Sequence, residues 1–426
     1  MERNDPRYQA YVEILKEELI PAMGCTEPIA LAYAAAKARE VLGVLPDSVQ
    51  LQVSGSIIKN VKSVIVPNTG HLKGMEAAAA AGIIAGSAEK ELEVIAEVSA
   101  DKQAAIRDYL QTVPISIEHI EQGHVFDIIV TERCGQDYAR VRIADFHTNI
   151  CLIEKDGKVL YEKPLADEAV QESSRADRSL LNMKDIWEFA ETADLRDVAD
   201  LLERQIRYNN AIAEEGLLGD YGANIGRVLL STYGNDVSNR AKAKAAAGSD
   251  ARMNGCELPV IINSGSGNQG ITCSVPLIEY AKELHSGKEK LYRALIISNL
   301  VAIHEKTGIG TLSAYCGAVS AGAGAGAGIV YLCGDGYQAA IHTVVNALAI
   351  VSGIVCDGAK ASCAAKIASS VDAALLGYNM YKCNQEFKGG DGIVMKDIET
   401  TIKGIGRLGK DGMRQTNEEI IRLMMS

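Results

Sequence analysis

The segment GIGTLSAYCGAVSAGAGAGAGIVYLCG, residues 308–334, contains no Asp, Glu, Lys or Arg. In the next segment, residues 337–355, His342 is the only Asp, Glu, Lys, Arg or His. Charge-free runs of this length are typical of helices buried inside a protein. Because Gly and Ala gain little free energy on transfer into lipid, we predict a buried helix hairpin here rather than a membrane span.

Three cysteines lie in or beside these runs. Cys316 is in the first run, and Cys356 and Cys363 follow the second in the sequence VCDGAKASC. Their spacing matches neither a zinc finger nor the compact cysteine run of bacterial ferredoxins, and the chain has no CxxC pair. The spacing alone therefore leaves open whether these thiols bind a metal or are buried small hydrophobes.

Composition limits the classes of function. The chain has 426 residues, of which 47% are hydrophobic and only 5% aromatic, so we expect helices rich in Ala and closely packed with Gly. The net charge of -12 and the lack of a basic, aromatic-rich patch argue against a nucleic-acid partner and favour a small ligand. The charged N-terminal segment is unlike a signal peptide, so we expect a cytoplasmic protein with no membrane partner and few disulfides.

The pattern changes near residue 90, where apolar and polar residues begin to alternate as in strands. We therefore predict an α+β fold in which residues 1–87 and 173–426 form a mainly helical catalytic domain. Residues 88–172 would form a smaller α+β domain inserted into it. Cysteines and histidines of the insert are interpreted as packing or ordinary polar positions: Cys134, Cys151, His119, His124 and His147.

Cys25 begins a predicted helix in the sequence GCTEPIALAYAAAKAREVLG. Thr26, Glu27 and Pro28 are typical of a first helical turn. Backbone amides at such a position stabilise a thiolate, which makes Cys25 a candidate reactive residue. A buried packing cysteine at a helix start is the open alternative.

Two turns could bind an anion through free backbone amides. The turn SGSGNQG precedes a predicted helix and is neither a Walker loop nor a dinucleotide fingerprint. The turn PNTG follows a predicted strand. Each could equally be a plain structural turn. The candidate residues are Ser266, Gly267, Asn268 and Gln269 in the first turn and Asn68 and Thr69 in the second.

A cluster of charged residues directly precedes the first charge-free run. It consists of His304, Glu305 and Lys306, in the sequence AIHEKTG. Charges at the mouth of a buried region could serve chemistry. A solvated helix end would explain the same pattern, and the sequence does not separate these interpretations.

The segments GCTEP, NSGSGNQG, AYCGAVSAGAGAGAG and SGIVCDGAKASC together resemble the L-cysteine desulfidase family, also called the YhaM-like group. The resemblance covers essentially the whole chain. More distantly, the C-terminal half resembles the α domain of iron–sulfur-dependent L-serine dehydratases. The resemblance implies a carbon–sulfur lyase that converts L-cysteine to pyruvate, ammonia and sulfide. It also implies that Cys316, Cys356 and Cys363 hold a [4Fe-4S] cluster and that Cys25 is catalytic.

In that family pattern, three thiolates leave one iron open to act as a Lewis acid on the departing sulfur. We expect Cys25, as a thiolate, to remove the Cα proton, and residues 266–269 to bind the substrate carboxylate, with Asn68 and Thr69 as weaker candidates. No lysine motif for pyridoxal phosphate is visible. The chain ends RLMMS, without the terminal cysteine that some of the dehydratases carry.

Two alternatives remain open at this stage. The same machinery could dehydrate L-serine, since hydroxide and hydrosulfide could both leave from an open iron. In the other alternative, the protein binds a small amino acid without a metal, and the three cysteines are merely buried. The sequence also leaves open whether the chain forms a homo-oligomer. If the cluster prediction is right, the three sulfurs should face one cavity with Cys25 at its edge.

Overall fold

The computed structural model describes residues 1–121, 124–165, 175–310 and 313–425. These residues form mostly helices together with one six-stranded sheet, which confirms the predicted α+β class. No helix in the described ranges is long and apolar enough to span a membrane.

The part of the chain before residue 165 contains all the strands of the large sheet. Its helices are α1 (Pro6–Glu18), α2 (Thr26–Leu42), α3 (Gly55–Val61), α4 (Gly74–Ala85) and α5 (Ala100–Thr112). Its strands are β1 (Pro21–Met23), β2 (Ser48–Ser54), β3 (Ile115–Ile120), β4 (Asp127–Cys134), β5 (Asp137–Ala144), β6 (Ile150–Lys155) and β7 (Lys158–Glu162).

The part after residue 175 is helical except for the short strand β8 (Pro259–Ile261). Its first helices are α6 (Met183–Thr192), α7 (Ala199–Leu218), α8 (Ile225–Tyr233), α9 (Val237–Met253), α10 (Gly267–Glu283) and α11 (Lys288–Ile309). They are followed by α12 (Gly317–Cys333), α13 (Tyr337–Val351), α14 (Ser362–Lys382), α15 (Ile398–Arg407) and α16 (Arg414–Met425).

The large sheet has the strand order β3–β2–β4–β5–β6–β7, with β2 and β3 parallel and the other neighbours antiparallel. β2 lies inside this sheet, and α2, α3 and α4 share its hydrophobic core. The division into two domains at residues 88 and 172 stays a prediction. The shared core favours a first boundary close to residue 25, because α2 packs against the sheet and α4 packs on α2. We call this part, residues 26–163, the α/β unit.

Helix α12 is the centre of the helical part, where it packs against α10, α11, α13 and α14. Its alternating glycines allow these close contacts. A Cβ at Gly324 would overlap the backbone oxygen of Ser298 in α11, and one at Gly322 would come within 2.8 Å of the Ser370 backbone in α14. The small residues of the low-complexity sequence AGAGAGAG therefore allow neighbouring helices to pack close to α12 from several sides.

Two short pairings connect distant segments around the ends of these helices. β1, directly before Cys25, pairs antiparallel with β8, directly before the SGSGNQG turn. An isolated bridge joins Tyr315 to Val355, next to two of the candidate cysteines. The last helix, α16, packs on α3 of the α/β unit.

The central packing predicts opposite effects for two glycine substitutions. Gly324→Ala should destabilise the protein by about 1–3 kcal/mol, because the added methyl group must displace a helix backbone. Gly404→Ala, inside α15, meets no atom closer than 3.7 Å. It should stabilise by about 0.5–1 kcal/mol through reduced backbone entropy of the unfolded chain. Urea unfolding measures both, and equal stabilities of the two variants would contradict this account of α12.

Candidate active site

Cys316 and Cys356 are held side by side by backbone hydrogen bonds. The N–H of Cys316 donates to the Ile354 oxygen at 3.2 Å, and the N–H of Cys356 donates to the Ala314 oxygen at 2.6 Å. Cys316 is the N-cap residue of α12, and Cys356 lies in the loop that follows α13. Two cysteines far apart in the chain thus meet where two buried helices end.

Cys363 joins this pair from the first turn of α14, where its thiol donates to the Gly358 oxygen at 3.5 Å. Burial raises the pKa of Cys316 to about 12, and the neighbouring Cys356 and Cys363 sulfurs add to that shift. Burial and Cys356 also raise the pKa of Cys363. The structure therefore brings the three predicted ligands into one region, while their role as ligands stays a prediction.

Two buried lysines lie near the three thiols. Lys59 of α3 is 1% exposed, and its ammonium donates to Asn417 Oδ1 at 2.7 Å and to the Ser313 oxygen at 3.3 Å. Lys306 of α11 is 9% exposed and has no ion-pair partner in the described ranges. Burial lowers the pKa of Lys306 to about 8, and Cys356 and Cys316 oppose that shift. Buried cations of this kind require negative charge nearby.

This donor set fits an iron–sulfur cluster. Thiolates are the soft ligands that iron–sulfur clusters use, and three of them would supply the negative charge that Lys59 and Lys306 lack. No group of three or more His, Cys, Asp or Glu side chains in the described residues is arranged to hold a single metal ion. Cluster ligands lie farther apart than those of one ion, because each cysteine binds a different iron atom.

Cys25 lies at the start of α2, as the sequence predicted; it is the N-cap residue and is 3% exposed. Its thiol donates to Glu27 Oε2 at 3.0 Å. Burial raises the pKa of Cys25 well above its ordinary value, the Glu27 carboxylate raises it further, and Arg252 lowers it. The backbone N–H of Glu27 lowers the pKa of Cys25, as expected at a helix start, but desolvation and the adjacent negative charge raise that pKa by more. A catalytic role of Cys25 stays a prediction. Cys25 packs in one small cluster with Cys363 alongside.

The SGSGNQG turn begins α10, with Ser266 as the N-cap residue. Asn268 Oδ1 accepts a hydrogen bond from Arg252 Nη1 at 3.3 Å. Gln269 is 6% exposed, and its carboxamide lies against Gly317, next to Cys316. The turn thus reaches from Arg252 to the surroundings of Cys316, which is a placement consistent with the predicted substrate-binding segment.

The second turn has its polar atoms engaged within the protein. The Thr69 hydroxyl donates to the Val66 oxygen at 2.7 Å and accepts from the Leu72 N–H at 3.2 Å. The Asn68 amide donates to the backbone oxygens of Ile95 and Ala96. These contacts favour the structural alternative for this turn, and a role of Asn68 and Thr69 in substrate binding stays a prediction.

Several residues of the site were missed or misjudged from the sequence. His304 pairs with Glu399 at 2.8 Å, but Glu305 and Lys306 are buried, which rules out a solvated helix end for those two. His147 has a buried Nε2 with no hydrogen-bond partner, and Glu27 influences its pKa, which burial lowers. Arg252 carries no motif. The one sequence signal for Arg252 is that it is a charged residue near the end of a helix with a largely apolar face.

Comparisons with known proteins show the family of the chain. A family model described as the serine dehydratase alpha chain matches residues 89–422. The UPF0597 protein of Desulfitobacterium hafniense strain Y51 is 61% identical over 426 residues, which cover 100% of this chain and 99% of the relative. That of Lachnoclostridium phytofermentans is 52% identical over 419 residues, 98% of this chain and 100% of the relative. That of Treponema denticola is 46% identical over 430 residues and the full length of both.

The names of these three relatives state no substrate. The family match begins in the α/β unit and runs through all three candidate ligands, so it extends beyond the C-terminal half expected from the sequence. The predicted kinship with L-serine dehydratases is confirmed at the level of the family. The chain belongs to the serine dehydratase alpha chain family.

Proposed function

We propose that the protein is a lyase that eliminates the β-substituent of a small amino acid, with L-cysteine as the substrate. The products would be pyruvate, ammonia and sulfide. One observation carries the proposal: three thiols from distant positions, one buried and two partly buried, meet beside the Cys25–Glu27 pair. Membership of the serine dehydratase family supports the lyase class, and the substrate is the finer part of the proposal.

Cys316, Cys356 and Cys363 would hold a [4Fe-4S] cluster, which when bound supplies an open iron that acts as a Lewis acid on the leaving group. The protein around these thiols contributes two things. Lys59 and Lys306 place positive charge beside them. Burial of Cys316, Lys59 and Lys306 strengthens their electrostatic contacts relative to those in solution.

Cys25 and Glu27 would move the Cα proton. Because burial keeps the Cys25 thiol protonated near neutral pH, Glu27 must first accept its proton through their hydrogen bond. The thiolate then takes the proton from Cα while hydrosulfide leaves from Cβ. The resulting aminoacrylate tautomerises to an imine, which water hydrolyses to pyruvate and ammonia. A thiolate with a raised pKa is a stronger base, which suits a weakly acidic C–H bond.

L-serine dehydration is the second candidate, and the description of the matching family model favours it. The same residues could act when hydroxide leaves instead of hydrosulfide. Membership of the family does not distinguish the two, because the leaving atom differs while the carboxylate, ammonium and Cα–H are the same.

An anaerobic assay tests the substrate. Protein reconstituted with iron and sulfide should release sulfide and pyruvate from L-cysteine with a higher kcat/KM than it releases pyruvate from L-serine. Pyruvate and sulfide are measured separately with each substrate. Equal or greater turnover of L-serine would replace the desulfidase proposal with a dehydratase, and iron-free protein that binds L-cysteine without turnover would favour a metal-free binding protein.

Removing one ligand tests the cluster. Cys356→Ser should lose iron and acid-labile sulfide and lower kcat by more than about 100-fold, because the Lewis acid is lost. Cys383→Ser changes an exposed cysteine and serves as the matched control. Iron analysis of anaerobically purified protein provides a measurement independent of activity. Full iron content in Cys356→Ser would remove this residue from the ligand set.

Glu27→Gln tests the proton relay. Removing the carboxylate should lower kcat by about 100- to 10,000-fold, since the thiol loses its proton acceptor. Because the negative charge of Glu27 raises the pKa of Cys25, its removal should lower that pKa. Alkylation of Cys25, followed by peptide mass spectrometry, should then accelerate at a lower pH than in wild type.

Glu40→Gln on the same helix is the control for this experiment. Glu40 is exposed, and among the described residues its ion-pair partner is Lys37, so both kcat and the alkylation profile should match wild type. A Glu27→Gln variant with wild-type kcat would exclude Glu27 as the acceptor.

A further inference from the structure

Arg252 is a buried cation that has no counter-ion in the part of the chain that the structure describes. It lies in the last turn of α9 and is 4% exposed. Its Nη1 makes one hydrogen bond, at 3.3 Å to Asn268 Oδ1, and its Nε has no partner. No carboxylate in the described ranges forms an ion pair with it. Burying a guanidinium without a counter-ion costs free energy, unless a negatively charged ligand pairs with it.

The position of Arg252 is next to the proposed chemistry. Its neighbour Met253 packs directly with Cys25, in the cluster that Cys363 also contacts. The positive charge of Arg252 also acts on the Cys25 thiol. Arg252 is therefore close to the proposed base, and it adjoins Met253, whose cluster one proposed iron–sulfur ligand also contacts.

The SGSGNQG turn is shaped around this guanidinium. A Cβ at Gly267 would overlap Arg252 Nε, so only glycine allows the turn to lie against the arginine. The next residue but one, Gln269, also has a buried oxygen, Oε1, without a hydrogen-bond partner. In the described residues, two buried polar atoms of this region, Arg252 Nε and Gln269 Oε1, thus have no hydrogen-bond partner, which indicates a site built for a polar ligand.

We propose that Arg252 binds the α-carboxylate of the amino-acid substrate; this inference rests on the proposed function. A guanidinium matches a carboxylate with two parallel N–H···O bonds, which fixes both position and orientation. Held in this way, the substrate presents Cα toward Cys25. Asn268 orients the guanidinium from the other side, so the predicted role of residues 266–269 is to support Arg252 as well as to contact the substrate.

The test uses protein purified anaerobically with its cluster and a ligand that cannot react. L-alanine keeps the carboxylate and the ammonium group but has no leaving group, whereas L-alaninamide lacks the carboxylate. Calorimetry should show that Arg252→Gln weakens L-alanine binding by about 10- to 100-fold, the value of a charged hydrogen-bonded pair. L-alaninamide should bind wild type and variant equally. Unchanged affinity for L-alanine would overturn the inference.

Kinetics gives a second measurement. Arg252→Gln should raise KM for L-cysteine by a similar factor of about 10 to 100 and change kcat less, because the lost contact is made in the ground state too. Arg178→Gln is the matched control. Arg178 is largely buried and pairs with Glu17 and Glu18, so its loss should lower Tm and leave KM unchanged.

Asn268→Asp provides a second test of the inference if Arg252→Gln does not fold. The change preserves shape but places a carboxylate against the guanidinium, which should neutralise it and weaken L-alanine binding. Wild-type affinity in Asn268→Asp would then overturn the inference.

The two proposals fail in different ways. Arg252-dependent binding of L-alanine without turnover of any substrate would contradict the proposed function and support the carboxylate site. Turnover of L-cysteine with a wild-type KM in Arg252→Gln would sink the carboxylate site alone.

Discussion

Lys306 and Arg252 are positive charges buried without a carboxylate partner in the described residues, and the arrangement of the site follows from how they are compensated. Lys306 lies near the cysteine trio, and Arg252 lies near Cys25 and Asn268. A buried cation is tolerated only where negative charge or strong hydrogen-bond acceptors compensate its lost hydration. Three thiolates would complete the first, and a substrate carboxylate would complete the second.

The site lies where the α/β unit meets the helical part. The α/β unit supplies Glu27 and Lys59, and Cys25 lies directly before its first helix, whereas the helical part supplies the cysteine trio and Arg252. Pairing of β1 with β8 joins the two sides, and the loop after Cys356 packs directly on the backbone of Lys59. Any motion between the two parts would therefore alter the distance from the proposed base to the proposed cluster.

Much of the fold was predictable, since charge-free helices and alternating strands have distinct periodicities. The predicted boundary at residue 88 stays a prediction, but residues on both sides of it share one core, and the sequence of the small-residue helix α4 does not show which elements it packs against. The protonation state of Cys25 was not visible in the sequence for a related reason. A helix start is visible in the sequence, but the burial of the thiol and its hydrogen bond to Glu27 are not.

The sequence by itself determined the α+β class, the buried helices around Cys316 and the family resemblance, because these depend on local pattern and motif. Only the tertiary structure decided that Glu27 accepts the Cys25 thiol hydrogen bond, that Lys306 is buried near the cysteines, and that Arg252 has no counter-ion. The reason is physical: the free energy of a charge depends on its solvation and on neighbours from distant parts of the chain. Neither the solvation of a charged group nor its distant neighbours can be inferred from the residues beside that group in the sequence.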